Sequence, residues 1–163
     1  PWEAVLLVCS NLVNDFGIDG LRAARASVIT FDGCLRPSET LALKTADIIV
    51  LLVAGLSKVP RISVRLAPSA RDADSEPRPR TKSGEYDDTI VFGDVASVAA
   101  GRAWVSDLVA DMKRASPPLL PLFPLSLHKW EQVFAAALVR AGLSSLRASP
   151  HYLRHGSAST DFV

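Results

Sequence analysis

The spacing of apolar residues changes twice along this chain, and that change constrains the fold more than any other feature. Between residues 2 and 31 the apolar side chains recur at steps of three and four, the period of amphipathic helices. Three short β-branched runs follow, at 48–53, 61–67 and 88–93, and these have the composition of strands. Helical spacing then returns. The order predicts an α+β fold that is mainly helical, with a small three-stranded antiparallel sheet.

Capping residues predict where the first helices begin and end. The first helix is predicted to start at Trp2 and to end at Gly17, because glycine is the usual residue just past a helix. Asp19 is predicted to cap a second helix that runs to the break at 32–34. A third, short helix is predicted from Pro37, a residue suited to the first helical position.

The second half of the chain contains two further predicted helices. One apolar face is formed by Val98, Val105, Leu108, Val109 and Met112, which predicts a single helix. A proline-rich crossing at 116–126 follows. The last long helix is predicted to have Ser126 as its cap and Gly142 as its stop. The segment 68–87, rich in proline, serine and charge, is predicted to be a long exposed loop.

Length and composition exclude several classes of protein. With 163 residues and 48% hydrophobic content, the chain has enough apolar side chains for one core and fits a single domain. Its longest apolar runs, 4–9 and 48–56, are shorter than the roughly 20 residues of a membrane-spanning helix, so no membrane partner is expected. Cys9 and Cys34 lack the spacing of a disulfide framework or a zinc site, which favours a reducing, intracellular setting.

The stretch "SPHYLRHGSASTDFV" at 149–163 places His151, Arg154 and His155 within five positions. An isolated H-x-x-R pair is a weak signal, and the same residues fit a polar tail with His151 as a helix cap. Two other motifs precede it in the chain. "GCLRPSETLALKTADI" contains Arg36 and Glu39, and "RTKSGEYDD" contains Lys82.

Taken in this order, the three motifs resemble those of the catalytic domain of tyrosine recombinases, the phage-integrase-like enzymes that cut and rejoin DNA. Arg36 and Glu39 match the first arginine box of that family, and Lys82 matches its β-hairpin lysine. The segments "LFPLS", "VRAGL" and "HYLRHGSAST" match the second box, with His151 and Arg154 on its active-site positions and His155 beside them.

The resemblance implies a function and a setting. It implies DNA strand cleavage and rejoining, in site-specific recombination or in integration of a mobile element, through a phosphotyrosine intermediate and without a metal or nucleotide cofactor. The expected partner is double-stranded DNA, bound as a homo-oligomer by the full-length protein. The expected location is intracellular and DNA-associated, which means the nucleus in a eukaryotic host.

The chemistry of phosphodiester attack accounts for the residue types in these motifs. Guanidinium groups bind phosphate oxygens in pairs, so Arg36 and Arg154 are candidates for stabilising the charge that develops there. His151 is a candidate for hydrogen bonding to the phosphate and for proton transfer. Lys82 is a candidate for protonating the departing 5′-oxygen, and Glu39 for orienting its neighbours.

A local excess of positive charge adds to this expectation, although the net charge of the chain is only +1. Residues 58–82 contain seven basic and three acidic side chains. Such a stretch is suited to contact a phosphate backbone. The candidate DNA-binding residues are Lys58, Arg61, Arg78 and Arg80. A solvated polar loop that collects arginine remains the alternative.

The sequence also departs from the family. Its tyrosines are Tyr86 and Tyr152, and neither occupies the position of the family's nucleophile. The chain also begins on Pro1, so we expect a piece of the catalytic domain without its nucleophile segment and without the N-terminal core-binding domain. We expect the Tyr152 ring to face away from the phosphate, into packing.

Two other functions stay open on the residues alone. One is a non-catalytic DNA-binding remnant of a mobile element. The other is a plain helical interaction domain, which the mean hydropathy of +0.22 favours.

Overall fold

The computed structural model describes residues 2–51, 61–66 and 88–160. It confirms a mainly helical chain with a small three-stranded antiparallel sheet. The helices are α1 Trp2–Asp15, α2 Gly17–Asp32, α3 Pro37–Ala42, α4 Val95–Ala99, α5 Trp104–Ala115, α6 Leu127–Arg140 and α7 Pro150–Thr160. The strands are β1 Ile48–Leu51, β2 Arg61–Leu66 and β3 Asp88–Phe92, and short 3₁₀ turns lie at Thr45–Asp47 and Ser144–Leu146.

The chain divides into two compact units. One is formed by Pro1–Leu41 and Phe123–Val163, and the other by Ala42–Leu122. We call them the helical unit and the sheet unit.

In the helical unit, α2 packs against α1, α6 and α7. The centre of this core consists of fully buried side chains from three of these helices, namely Leu12, Ile29, Phe31 and Trp130. The indole Nε1 of Trp130 donates to the hydroxyl of Ser27 at 3.2 Å, and that hydroxyl donates to the carbonyl of Ala23 at 2.8 Å. Because buried polar groups are costly without partners, this pair sets the register of α6 against α2.

The junction of α1 and α2 is tighter than the sequence predicted. Gly17 has φ of +56°, and α2 begins there rather than at a cap on Asp19. The predicted Asp19 cap is therefore wrong. Asp19 lies in the first turn of α2, where its carboxylate pairs with Arg22 at 3.4 Å. Glycine tolerates positive φ, so the chain reverses direction within a single residue and needs no capping loop.

The last long helix confirms its predicted boundaries. The Ser126 hydroxyl accepts a hydrogen bond from the backbone N–H of Lys129 at 3.2 Å, which satisfies one of the free donors at the start of α6. At the other end Gly142 has φ of +72°. Asp15 of α1 pairs with Arg140 of α6 at 2.8 Å.

In the sheet unit, the strands are hydrogen-bonded in the order β1-β2-β3, and both pairs are antiparallel. Ile62 on the central strand lies opposite Val50 on one side and Phe92 on the other. Helix α5 packs against β1 and β2. Its Val105 and Val109 are fully buried, as are Ile62 and Phe92, so one face of the sheet and one face of α5 are buried in this core.

The prediction of one helix from Val98 to Met112 is wrong. The segment forms two helices, α4 and α5, separated at Gly101, which has φ of +70°. Val98 is 45% exposed and does not share the buried face of Val105. A glycine with positive φ ends a helix even where the apolar spacing continues beyond it, so the spacing across Gly101 did not indicate one continuous helix.

Among the helices in the described ranges, none is long and apolar enough to cross a membrane.

Candidate functional site

In the first arginine box, the Glu39 carboxylate accepts hydrogen bonds from both the backbone and the side chain of Arg36. Arg36 immediately precedes α3, and its backbone N–H donates to Oε2 of Glu39 at 2.7 Å. Its guanidinium donates to Oε1 of the same residue at 2.5 Å. The Arg36 and Glu39 side chains are 27% and 17% exposed. Glu39 thus fixes both the main chain and the side chain of Arg36, and the guanidinium remains partly accessible to solvent.

A hydrogen bond between two buried threonines connects α3 to the end of α2. The hydroxyl oxygens of Thr30 and Thr40 are 2.7 Å apart, and both side chains are fully buried. The Thr40 hydroxyl also donates to the backbone carbonyl of Arg36 at 3.3 Å. The connection between the helices turns back on α2, because the N–H of Leu35 donates to the carbonyl of Thr30 at 3.0 Å.

The second arginine box lies on α7. Residues three and four apart share one face of a helix, so His151 lies beside both Arg154 and His155. The two imidazole rings meet edge to face with their centroids 5.5 Å apart. Both histidines are exposed and Arg154 is half-buried. Residues 150–160 are helical and His151 lies inside the helix, so the alternative role of His151 as a helix cap is wrong. The end of the suggested polar tail, at 161–163, lies outside the described residues.

The opposite face of α7 packs on α2. Leu153 is buried, and Gly156 lies so close to Phe31 that an added Cβ would be 3.2 Å from the Phe31 ring. Helix α7 therefore contacts Phe31. The residue before it in the chain, Thr30, is hydrogen-bonded to Thr40 of α3. The two boxes are 118 positions apart in sequence between Arg36 and Arg154, yet both are attached to the same end of α2.

The remaining candidate residues do not belong to the two arginine boxes. Arg61 is exposed at the first position of β2, in the sheet unit. Four basic candidates, Lys58, Arg78, Arg80 and Lys82, lie outside the described residues, as does Tyr86.

Tyr152 contacts an apolar cavity of about 160 Å³ in the helical unit. The cavity is lined by α1, α2, α6 and α7, with Phe31 and Phe134 among the lining residues. Positions two apart on an α-helix differ by about 200° around its axis, so Tyr152 and Arg154 lie on opposite sides of α7. The residue as a whole is nevertheless 59% exposed, so the expectation that Tyr152 is packed away is wrong in that respect.

Thr30 and Thr40 were not predicted to be functional residues. A signal for them exists: Thr30 lies between Ile29 and Phe31, where the helical pattern demands a buried side chain, and a buried threonine needs a hydrogen-bond partner. Which partner it has depends on how the chain turns after α2, and no spacing in the sequence predicts that turn.

Within the described ranges there is no cluster of three or more histidine, cysteine, aspartate or glutamate side chains that could hold a metal ion. No model of a known protein family, no curated protein and no solved structure matches this chain significantly.

Proposed function

We propose that this chain binds the phosphate backbone of duplex DNA through Arg36, His151 and Arg154. In this proposal it is the phosphate-binding part of a tyrosine recombinase, which cleaves and rejoins DNA strands through a phosphotyrosine intermediate. The observation that supports the proposal best is the attachment of both arginine boxes to successive residues, Thr30 and Phe31, at one end of α2.

The state of Arg36 supports this role. A guanidinium has five N–H donors, and one of them is directed to Glu39. A side chain whose geometry is already set loses less conformational entropy when it binds an anion. Arg36 is therefore suited to meet a phosphate oxygen with its remaining donors, while Glu39 keeps the guanidinium oriented.

The face of α7 supports the second half of the proposal. His151 and Arg154 project from one side of a helix whose other side is buried at Leu153 and lies against Phe31 of α2 at Gly156. A packed helix presents these side chains with little positional freedom. In this arrangement Arg154 binds a non-bridging oxygen, and His151 donates a hydrogen bond to the same phosphate or transfers a proton.

Tyr152 is a poor nucleophile for a phosphate held by Arg154. Attack requires the reacting atoms to be about 3–3.5 Å apart and in line with the leaving oxygen. Tyr152 lies about 200° around α7 from Arg154, and the centroid of its ring lies 6.5 Å from that of His155, so the ring is not aligned with a phosphate held by Arg154. In our proposal neither Tyr152 nor Tyr86 is the nucleophile, since neither occupies the position that the nucleophile has in tyrosine recombinases.

A binding experiment tests the proposal. We expect the chain to bind a labelled duplex weakly, with an affinity that falls steeply as salt rises, because phosphate contacts release counterions. Arg36→Ala and Arg154→Ala should each weaken binding. Each should also make the negative slope of log K against log salt shallower by about 0.9 per lost contact.

Arg22→Ala is the matched control. Arg22 is also in the helical unit and also pairs with a carboxylate three positions away, at 3.4 Å, but it belongs to neither box. It should leave both affinity and slope unchanged. Absence of binding at low salt, or equal losses in all three variants, would contradict the proposal.

A further inference from the structure

We infer that Thr30 and Thr40 are positioning residues that hold Arg36 in place for phosphate binding. The inference deepens the proposed function, because it assigns to the end of α2 the task of orienting one of the two arginines. Neither threonine is accessible to a ligand, since both are fully buried. Their effect on binding must pass through Arg36.

Either threonine could be the donor of the Thr30–Thr40 hydrogen bond, and one assignment of the protons satisfies both hydroxyls. The Thr40 hydroxyl has one proton, and it donates that proton to the Arg36 carbonyl at 3.3 Å. The Thr30 hydroxyl, 2.7 Å away, then donates to the oxygen of Thr40. This arrangement uses each proton once and leaves neither hydroxyl without a partner.

Three groups of Arg36 are held by these contacts and by Glu39. The backbone N–H and the guanidinium of Arg36 donate to the Glu39 carboxylate. The backbone carbonyl of Arg36 accepts from the Thr40 hydroxyl and also from the Thr40 backbone N–H, the latter at 3.0 Å. Glu39 and Thr40 are both on α3, so by themselves they fix Arg36 only relative to that short helix. The Thr30 hydroxyl connects α3 to α2, on which α7 is packed.

This architecture predicts an order among isosteric variants. Thr40→Val removes both contacts and leaves Thr30 without its acceptor. Thr30→Val leaves the Thr40 donation to Arg36 intact. We therefore expect Thr40→Val to loosen the position of Arg36 more than Thr30→Val does. Thr40→Ser should leave the position of Arg36 unchanged, because serine keeps the hydroxyl.

A double-mutant cycle separates positioning from general destabilisation. In the background with Arg36 present, Thr40→Val should weaken duplex DNA binding on the order of threefold or more. In the Arg36→Ala background the same change should have no effect, because the residue that it positions is gone. Equal losses in the two backgrounds would overturn the inference.

Ser27→Ala is the control for stability. Ser27 is also buried on α2, but its hydrogen bonds join it to Trp130 of α6 and to Ala23 of α2. It should lower the unfolding midpoint without changing DNA affinity under conditions where the protein stays folded. A loss of affinity equal to that of Thr40→Val would also overturn the inference.

A measurement without DNA keeps this inference separate from the proposed function. The Arg36 amide is protected from hydrogen exchange by Glu39, so its exchange rate reports how firmly Arg36 is held. Thr40→Val should raise that rate several-fold relative to Ser27→Ala. An unchanged rate would overturn the positioning role, whereas absence of DNA binding by the unmodified chain would overturn the proposed function.

Discussion

The fold changes the ionisation of Cys9. Its thiol is buried on α1 and contacts the carbonyl of Ala24 at 3.6 Å. Burial raises the pKa of Cys9 from 9.0 to about 12, because the thiolate would lose its hydration. Between these values the unfolded chain releases a proton that the folded chain keeps. Rising pH therefore favours unfolding in this window.

This shift predicts a pH dependence that Cys9→Ala should remove. From pH 9 upwards the Cys9 contribution to the free energy of unfolding should fall by about 1.4 kcal/mol per pH unit, and it should be constant below pH 8. Urea unfolding at a series of pH values checks this. The stability advantage of the unmodified chain over Cys9→Ala should narrow as pH rises. Parallel curves would show that the thiol titrates normally.

At the scale of elements, α1 and α2 approach each other closely at Gly20. A Cβ on Gly20 would lie 2.0 Å from the carbonyl oxygen of Leu12, which belongs to the backbone of α1. Gly20→Ala should destabilise the helical unit by about 3 kcal/mol, because neither helix backbone yields easily. Thermal or urea unfolding measures the loss.

Gly156→Ala is the matched control for this prediction. A Cβ there meets the edge of the Phe31 ring at 3.2 Å, and a ring edge shifts more easily than a backbone carbonyl. The better helix propensity of alanine offsets part of the cost, so the net change should stay within about 1 kcal/mol. Similar stability of the two variants would mean that the α1–α2 contact is looser than the structure indicates.

At the scale of the whole molecule, we predict that the 163-residue chain forms no covalent adduct with a nicked or suicide DNA substrate. Strand cleavage requires an aligned tyrosine oxygen, and Tyr152 lies on the side of α7 opposite Arg154. A denaturing gel of the protein–DNA mixture checks the outcome. An adduct that disappears with Tyr152→Phe or Tyr86→Phe would assign the nucleophile to this chain and contradict the proposal.

Local sequence signals were sufficient for much of the architecture. The change from helical to strand period predicted the α+β class, and Ser126 and Gly142 predicted the limits of α6, because a cap depends only on residues next to it in the chain. The same holds for the start of α3 at Pro37. The motifs identified Arg36 and Arg154 as candidates through residue type and order alone.

Tertiary structure decided what depends on contacts between distant segments. Two wrong predictions were local instead: Gly17 turns the chain into α2 before Asp19, and Gly101 breaks the helix predicted around Val98. The attachment of both arginine boxes to Thr30 and Phe31 was also beyond prediction. The sequence by itself determined helix period, caps and the candidate residues, since these are local. The partners of buried hydroxyls and the side of α7 that faces α2 were decided only by packing, because each depends on atoms far away in the chain.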